Sequence, residues 1–158
     1  MEKLYIILNM LASSLLVVAQ CPVKLGVPQR PSQTAHLGPC TVYIRCGDAE
    51  EGMRSKFDAC VEKISDEHVT IILNEVGENG VYTFSATEVK SAFVEYCEMN
   101  YKKQLEVSEE FIKSIVGMYH IDCNDPTRVS QCTSWNELVE CVIPLLDKSH
   151  NDGLCGCD

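Results

Sequence analysis

Two of the chain's ten cysteines stand almost at its C-terminal end, in the stretch NDGLCGCD. Cysteines bind metals, exchange electrons in redox pairs or form disulfides, and their spacing indicates which chemistry to expect. Cys155 and Cys157 are separated by one residue, and the sequence contains no Cys-x-x-Cys pair of the kind that zinc sites repeat. We therefore expect neither a metal site nor a redox pair here. Because a bond between such close neighbours would close a strained ring, we predict that each pairs with a different upstream cysteine.

The complete set of cysteines predicts a disulfide-stabilised protein. Their number is even, which in an oxidising compartment indicates five disulfides and no free thiol. The sequence does not choose the partners, but four cysteines fall within or beside apolar stripes, which predicts bridges between helices next to the core. The predicted disulfide cysteines are Cys21, Cys40, Cys46, Cys60, Cys97, Cys123, Cys132, Cys141, Cys155 and Cys157.

The N-terminal stretch MEKLYIILNMLASSLLVVAQC is typical of a secretory signal peptide. Lys3 precedes a mostly apolar run over residues 4–18, and small residues lead to a cleavage site between Ala19 and Gln20. The run is shorter than the roughly 20 apolar residues that a transmembrane helix needs. We therefore predict a signal peptide over residues 1–19 and a secreted, extracellular mature protein without a membrane span.

The mature chain divides by composition into an arm and a helical domain. Residues 20–47 form the predicted Pro-rich arm, within which residues 20–39 hold four of the six prolines. Residues 41–46 fit either a short strand or a helical turn. Residues 48–158 are predicted to form a mainly α, disulfide-rich domain of five to six helices, because apolar residues recur there at helical spacing. The segment around residues 69–73 could also be a strand.

Capping residues mark where we expect the helices to begin. Gly77 and Gly80 should end the helix before the middle of the domain, and Pro144 should kink the last helix or end it early. The predicted starts are Asp48 with Glu51, Ser85 with Glu88, Ser134 with Glu137, Ser108 alone, and Asp125 before Pro126.

Charge and motifs argue against catalysis and against nucleic acid. The net charge is −10, whereas phosphate binding needs clustered Lys and Arg. The sequence contains no nucleophile elbow, no metalloprotease motif and no phosphate-binding glycine loop. We expect the four histidines, His36, His68, His120 and His150, to be solvated or in loops. The sequence therefore predicts a protein that is not an enzyme, with no cofactor and no bound metal.

Two binding functions remain open from the sequence. The first is a venom- or saliva-type toxin or effector that acts on a protein receptor or ion channel, because the chain is small, exported and rich in bridges. The second follows from the spacing Cys123-x8-Cys132-x8-Cys141, which resembles the last three cysteines of the insect odorant-binding proteins. The chain lacks that family's Cys-x3-Cys pair. The resemblance implies an extracellular carrier of small hydrophobic ligands, which would require an apolar cavity between helices.

Overall fold

The protein is mainly α-helical, as the sequence predicts. A computed structural model describes residues 34–156, which form six helices and no strand. None of these helices combines the length and the apolar content that a membrane crossing requires. The helices are α1 (Leu37–Cys46), α2 (Glu51–Val61), α3 (Asp66–Glu78), α4 (Val89–Glu98), α5 (Tyr101–Asn124) and α6 (Val129–Asn151).

Helix α1 lies inside the segment that the sequence assigned to the arm. Cys40 and Ile44 on this helix are fully buried, and α1 packs against α5 and α6. The packed domain therefore extends at least to Leu37, on the N-terminal side of the predicted boundary at residue 48. Residues 41–46 are helical rather than a strand. The predicted signal peptide, its cleavage site at Ala19, and Cys21 and Cys157 lie outside the described residues.

Two of the predicted capping boxes do not cap a helix. Helix α2 begins after Glu50 and α4 after Glu88, in both cases without a side-chain cap, so the predicted roles of Asp48 and Ser85 are wrong. The backbone N–H of Ser85 instead donates to the carboxylate of Glu95, at 3.0 Å.

The two longest helices begin earlier than the sequence predicts. Asn100 caps α5 by accepting the N–H of Lys103, which places Ser108 in the helix interior. Likewise, α6 begins at Val129 and runs through Ser134, whose hydroxyl donates to the carbonyl of Ser130. The predicted helix starts at Ser108 and Ser134 are therefore wrong, because packing continues the helical backbone through both serines.

Pro144 lies inside α6, which continues to Asn151, so of the two predicted effects of this proline, a kink or an early end, the early end is wrong. The predicted end of α3 lies close to the observed one, although Gly77 itself is inside the helix. That helix ends at Glu78, and Gly80 follows with a φ of 70° in the left-handed region that glycine favours.

Four disulfides join the described part of the chain, and three of them connect helices. They are Cys46–Cys97 between α1 and α4, Cys60–Cys141 between α2 and α6, Cys123–Cys132 across the turn between α5 and α6, and Cys40–Cys155 between α1 and the C-terminal tail. Cys155 thus bonds an upstream cysteine, as the sequence analysis expected. These bridges fix the relative positions of helices that surround a common interior.

Candidate functional site

An apolar cavity of about 350 Å³ lies between the helices. All six helices contribute to its wall, because each turns its apolar stripe toward the same interior. Among the lining residues, 19 are apolar and three carry a hydroxyl group. The lining comprises Thr34, Leu37, Thr41, Phe57, Val61, Ile64, Val69, Ile72, Leu73, Val89, Ala92, Phe93, Ser108, Phe111, Ile112, Ile115, Val116, Leu138, Val139, Val142, Ile143 and Leu146.

Aromatic contacts hold two phenylalanines of the cavity wall in place. Phe93 contacts Phe57 edge to face, with ring centroids 6.0 Å apart, and the guanidinium of Arg45 lies 4.3 Å from the Phe93 centroid. Phe111 stacks on Phe84 at 5.6 Å. These contacts fix the orientation of Phe93 and Phe111, which both line the cavity.

The cavity reaches the surface between α5 and α6. Val116 on α5 and Val139 on α6 both line the cavity, and they are 49 % and 41 % exposed. Thr34, ahead of α1, is a further lining residue that is exposed. We call the exposed edge formed by Val116 and Val139 the mouth of the cavity.

The polar groups of the cavity wall are few and uncharged. The hydroxyl of Thr41 donates to the carbonyl of Leu37 at 2.8 Å. The oxygens of Ser108 and Tyr96 lie 2.6 Å apart in a buried hydrogen bond. Burial raises the pKa of Tyr96 to about 12, so its hydroxyl stays protonated at neutral pH. No charged side chain is among the described residues that line the cavity.

A second polar cluster lies behind the cavity, around the fully buried carboxylate of Asp122. This carboxylate accepts hydrogen bonds from the indole N–H of Trp135 at 2.7 Å and from Arg128 at 2.9 Å. His68 Nε2 lies 3.1 Å away. Burial alone would raise the pKa of Asp122, but the hydrogen bonds from Trp135 and Arg128 and the nearby His68 hold it below its ordinary value. Asp122 therefore remains ionised and ties α5 to α3 and α6.

His68 connects this carboxylate to the N-terminus of α3. An ionised Asp122 only accepts, so Nε2 of His68 carries a hydrogen, and Nδ1 lies 3.0 Å from the hydroxyl of Ser65. The row of serine, histidine and aspartate has the order of a hydrolase triad. However, Ser65 also accepts the His68 backbone N–H as the cap of α3. Because the Trp135 ring also packs against His68, at a centroid distance of 5.0 Å, we assign the row a structural role.

The histidines therefore occupy different environments. His68 is buried, so the prediction that it is solvated or in a loop is wrong; its partners on other helices were not visible from the sequence. His120 and His150 are exposed, and His36 bonds the carboxylate of Asp147 at 2.8 Å.

One group of potential metal ligands occurs within residues 34–156. The sulfurs of Cys40 and Cys155 and a nitrogen of His150 lie within 4.8 Å of one another. Because the two sulfurs share a disulfide, neither is a thiolate that could bind a metal ion. The arrangement is therefore a bridge with a histidine beside it.

Comparisons of this chain with protein families, with curated proteins and with solved structures find no match. The resemblance of its cysteine run to odorant-binding proteins therefore stays a prediction. Within that run Cys123 pairs with Cys132, while Cys141 pairs with Cys60.

Helical spacing in the sequence indicates an interior position for Ser108, whereas the capping pattern indicates a helix start there. Ser108 precedes Phe111, Ile112 and Ile115 by three, four and seven residues, which places it on the apolar face of a helix. A serine at such a position faces the interior with the apolar residues. Its partner Tyr96, on another helix, could be found only from the structure.

Proposed function

We propose that this protein binds one small apolar molecule in the cavity between its helices and acts as a carrier rather than as a catalyst. The observation that supports this proposal is the cavity itself. Its volume of about 350 Å³ falls in the range of small-molecule sites, and its wall is apolar with few polar groups. Binding would transfer an apolar ligand from water into contact with this apolar wall, and the hydrophobic effect would favour that transfer.

The cavity volume sets the size of the ligand. An engineered apolar cavity of about 150 Å³ in another protein holds one benzene, which has about six non-hydrogen atoms. By proportion, the cavity of about 350 Å³ here accommodates about 14 non-hydrogen atoms. This is the size of a medium-chain aliphatic compound or a two-ring aromatic compound.

The disulfides favour such binding because they hold the cavity walls in position before the ligand arrives. Cys60–Cys141 joins α2 to α6, and Cys46–Cys97 joins α1 to α4, so four wall-forming helices are linked covalently. A preformed site loses little conformational freedom on binding, which leaves more of the hydrophobic free energy as affinity.

Titration with the apolar fluorescent dye 1-aminoanthracene tests the proposal. We expect saturable uptake of one dye per chain at micromolar concentration, and displacement by medium-chain apolar compounds. A protein without saturable uptake of either kind of compound would contradict the proposal.

A matched pair of variants on α5 locates the site of uptake. Val116→Glu places a charge at the mouth and should weaken dye binding. Ile121→Glu places the same charge on the same helix at a residue that is 56 % exposed and does not line the cavity, and it should leave binding unchanged. Equal effects of the two substitutions would show that the dye binds elsewhere.

The effector function stays a prediction from composition, as do the signal peptide and extracellular location. Absence of ligand uptake together with activity on excitable cells or on an immune receptor would favour the effector over the carrier.

A further inference from the structure

Ser108 is the most deeply buried of the polar residues that line the cavity, and its partner Tyr96 is buried as well. The two residues are 3 % and 1 % exposed, and Ser108 lines the cavity. A hydroxyl group in such a place is costly unless its hydrogen bonds are satisfied.

The Ser108–Tyr96 pair has one more hydroxyl hydrogen than its own hydrogen bond uses. Two hydroxyl groups carry two hydrogens, and one of these lies in the bond of 2.6 Å between the two oxygens. Neither hydroxyl makes another hydrogen bond within residues 34–156. Helical serines often donate to the carbonyl four residues earlier, as Ser149 does at 3.0 Å, but Ser108 does not. When Tyr96 donates to Ser108, the Ser108 hydrogen is therefore available to a molecule in the cavity.

The other polar features of the cavity restrict the ligand further. The Thr41 hydroxyl already donates to the carbonyl of Leu37. No described side chain of the lining carries a positive charge, so a carboxylate inside the cavity would lose its hydration without gaining an ionic partner. An amine would likewise find no carboxylate.

We infer that the cavity selects an uncharged molecule with an apolar body and one acceptor oxygen, such as a ketone, an aldehyde or an ester, and that this oxygen accepts the hydroxyl hydrogen of Ser108. This inference rests on the proposed function and specifies its ligand class. Tyr96 acts as a positioning residue, because its hydroxyl occupies the Ser108 oxygen and directs the Ser108 hydrogen away from Tyr96.

Three compounds with the same chain test the ligand class by displacement of 1-aminoanthracene: decyl methyl ketone, dodecane and dodecanoate. Each is measured with the wild-type protein, with Ser108→Ala and with Ser114→Ala. The second variant is the matched control, because Ser114 is buried on the same helix but does not line the cavity. Thermal unfolding of each variant shows that it is folded.

We expect Ser108→Ala to weaken the ketone by about fivefold, the effect of one net hydrogen bond, and to leave dodecane unchanged. Ser114→Ala should change neither, and dodecanoate should bind to the wild type at least about tenfold more weakly than the ketone. If Ser108→Ala affects the ketone and dodecane equally, or if dodecanoate binds as tightly as the ketone, the inference is wrong.

An infrared measurement on the wild-type protein provides a test that needs no variant. The carbonyl stretch of bound decyl methyl ketone should lie at lower frequency than in hexane, because a donated hydrogen bond weakens the C=O bond. A stretch at the hexane frequency would overturn the inference while leaving the carrier proposal intact. If neither the dye nor any of the three compounds binds, the carrier proposal itself fails.

Discussion

Filling the cavity from Ala92 should abolish ligand binding and stabilise the fold at the same time. Ala92 lies on α4, lines the cavity and is only 5 % exposed. Ala92→Phe adds a ring of the size of benzene, the molecule that fills an engineered apolar cavity of about 150 Å³ in another protein. About 200 Å³ of the original cavity of about 350 Å³ would remain, too little for a ligand of about 14 non-hydrogen atoms.

The expected gain in stability follows from the volume that the ring fills. At about 24 cal/mol per Å³, filling about 150 Å³ contributes about 3.5 kcal/mol to the free energy of unfolding. The lower helix propensity of phenylalanine removes about 0.5 kcal/mol, and imperfect fit in a preformed space removes about 1 kcal/mol. We therefore expect Ala92→Phe to be more stable than the wild type by about 2 kcal/mol.

Two measurements on the same samples test this prediction. Chemical unfolding with the disulfides intact gives the change in stability, and 1-aminoanthracene titration gives the change in binding. Val94→Phe is the control, because Val94 lies on the same helix but is 62 % exposed and does not line the cavity. This control should bind dye like the wild type and change stability by less than about 0.5 kcal/mol.

The combination of results separates loss of the site from loss of the fold. A substitution that merely damages the protein loses binding and stability together, whereas filling a real cavity changes them in opposite directions. If Ala92→Phe binds dye with wild-type affinity, the cavity is not the binding site. If it destabilises the protein by about 2 kcal/mol or more, the space beside Ala92 is not available to a ring, and the volume argument is wrong.

Three further predictions concern the structure that surrounds the cavity. Asp122→Asn should destabilise the protein by about 2 kcal/mol at neutral pH. Because the folded pKa of this aspartate lies below its ordinary 3.8, the difference should begin to shrink below that pH and should vanish once the pH falls below the folded pKa, and urea unfolding at several pH values checks this. Replacing both Cys60 and Cys141, which are 81 residues apart, by serine should lower the free energy of unfolding by about 4.5 kcal/mol. The same change at Cys123 and Cys132, nine residues apart, should lower it by about 2.5 kcal/mol, because opening a shorter loop adds less entropy to the unfolded chain. A larger loss from the short bridge would refute that ordering. Finally, alkylation without reductant should label none of the ten cysteines in intact mass spectrometry, and any labelled cysteine would disprove complete pairing.

The sequence by itself determined the class of structure and much of the cavity wall. Val69, Ile72, Leu73 and Val76 recur at helical spacing and form part of α3, and this local periodicity survives in the fold because each helix must bury one apolar face. The sequence predicted the positions of the helices more accurately than the residues at which they begin. A capping pattern such as Ser134 with Glu137 satisfies a helix start locally, but packing on both sides kept that segment inside α6.

Only the tertiary structure decided that the apolar faces leave a space between them, and which polar groups meet beside it. Periodicity shows that a residue faces the interior, but not whether opposing side chains touch, since that depends on the distances between helices. Tyr96 and Ser108 lie 12 positions apart and meet because α4 packs on α5. His68 and Asp122 meet in the same way across α3 and α5. The cavity and its hydroxyl pair arise from contacts between helices, which no pattern within one helix encodes.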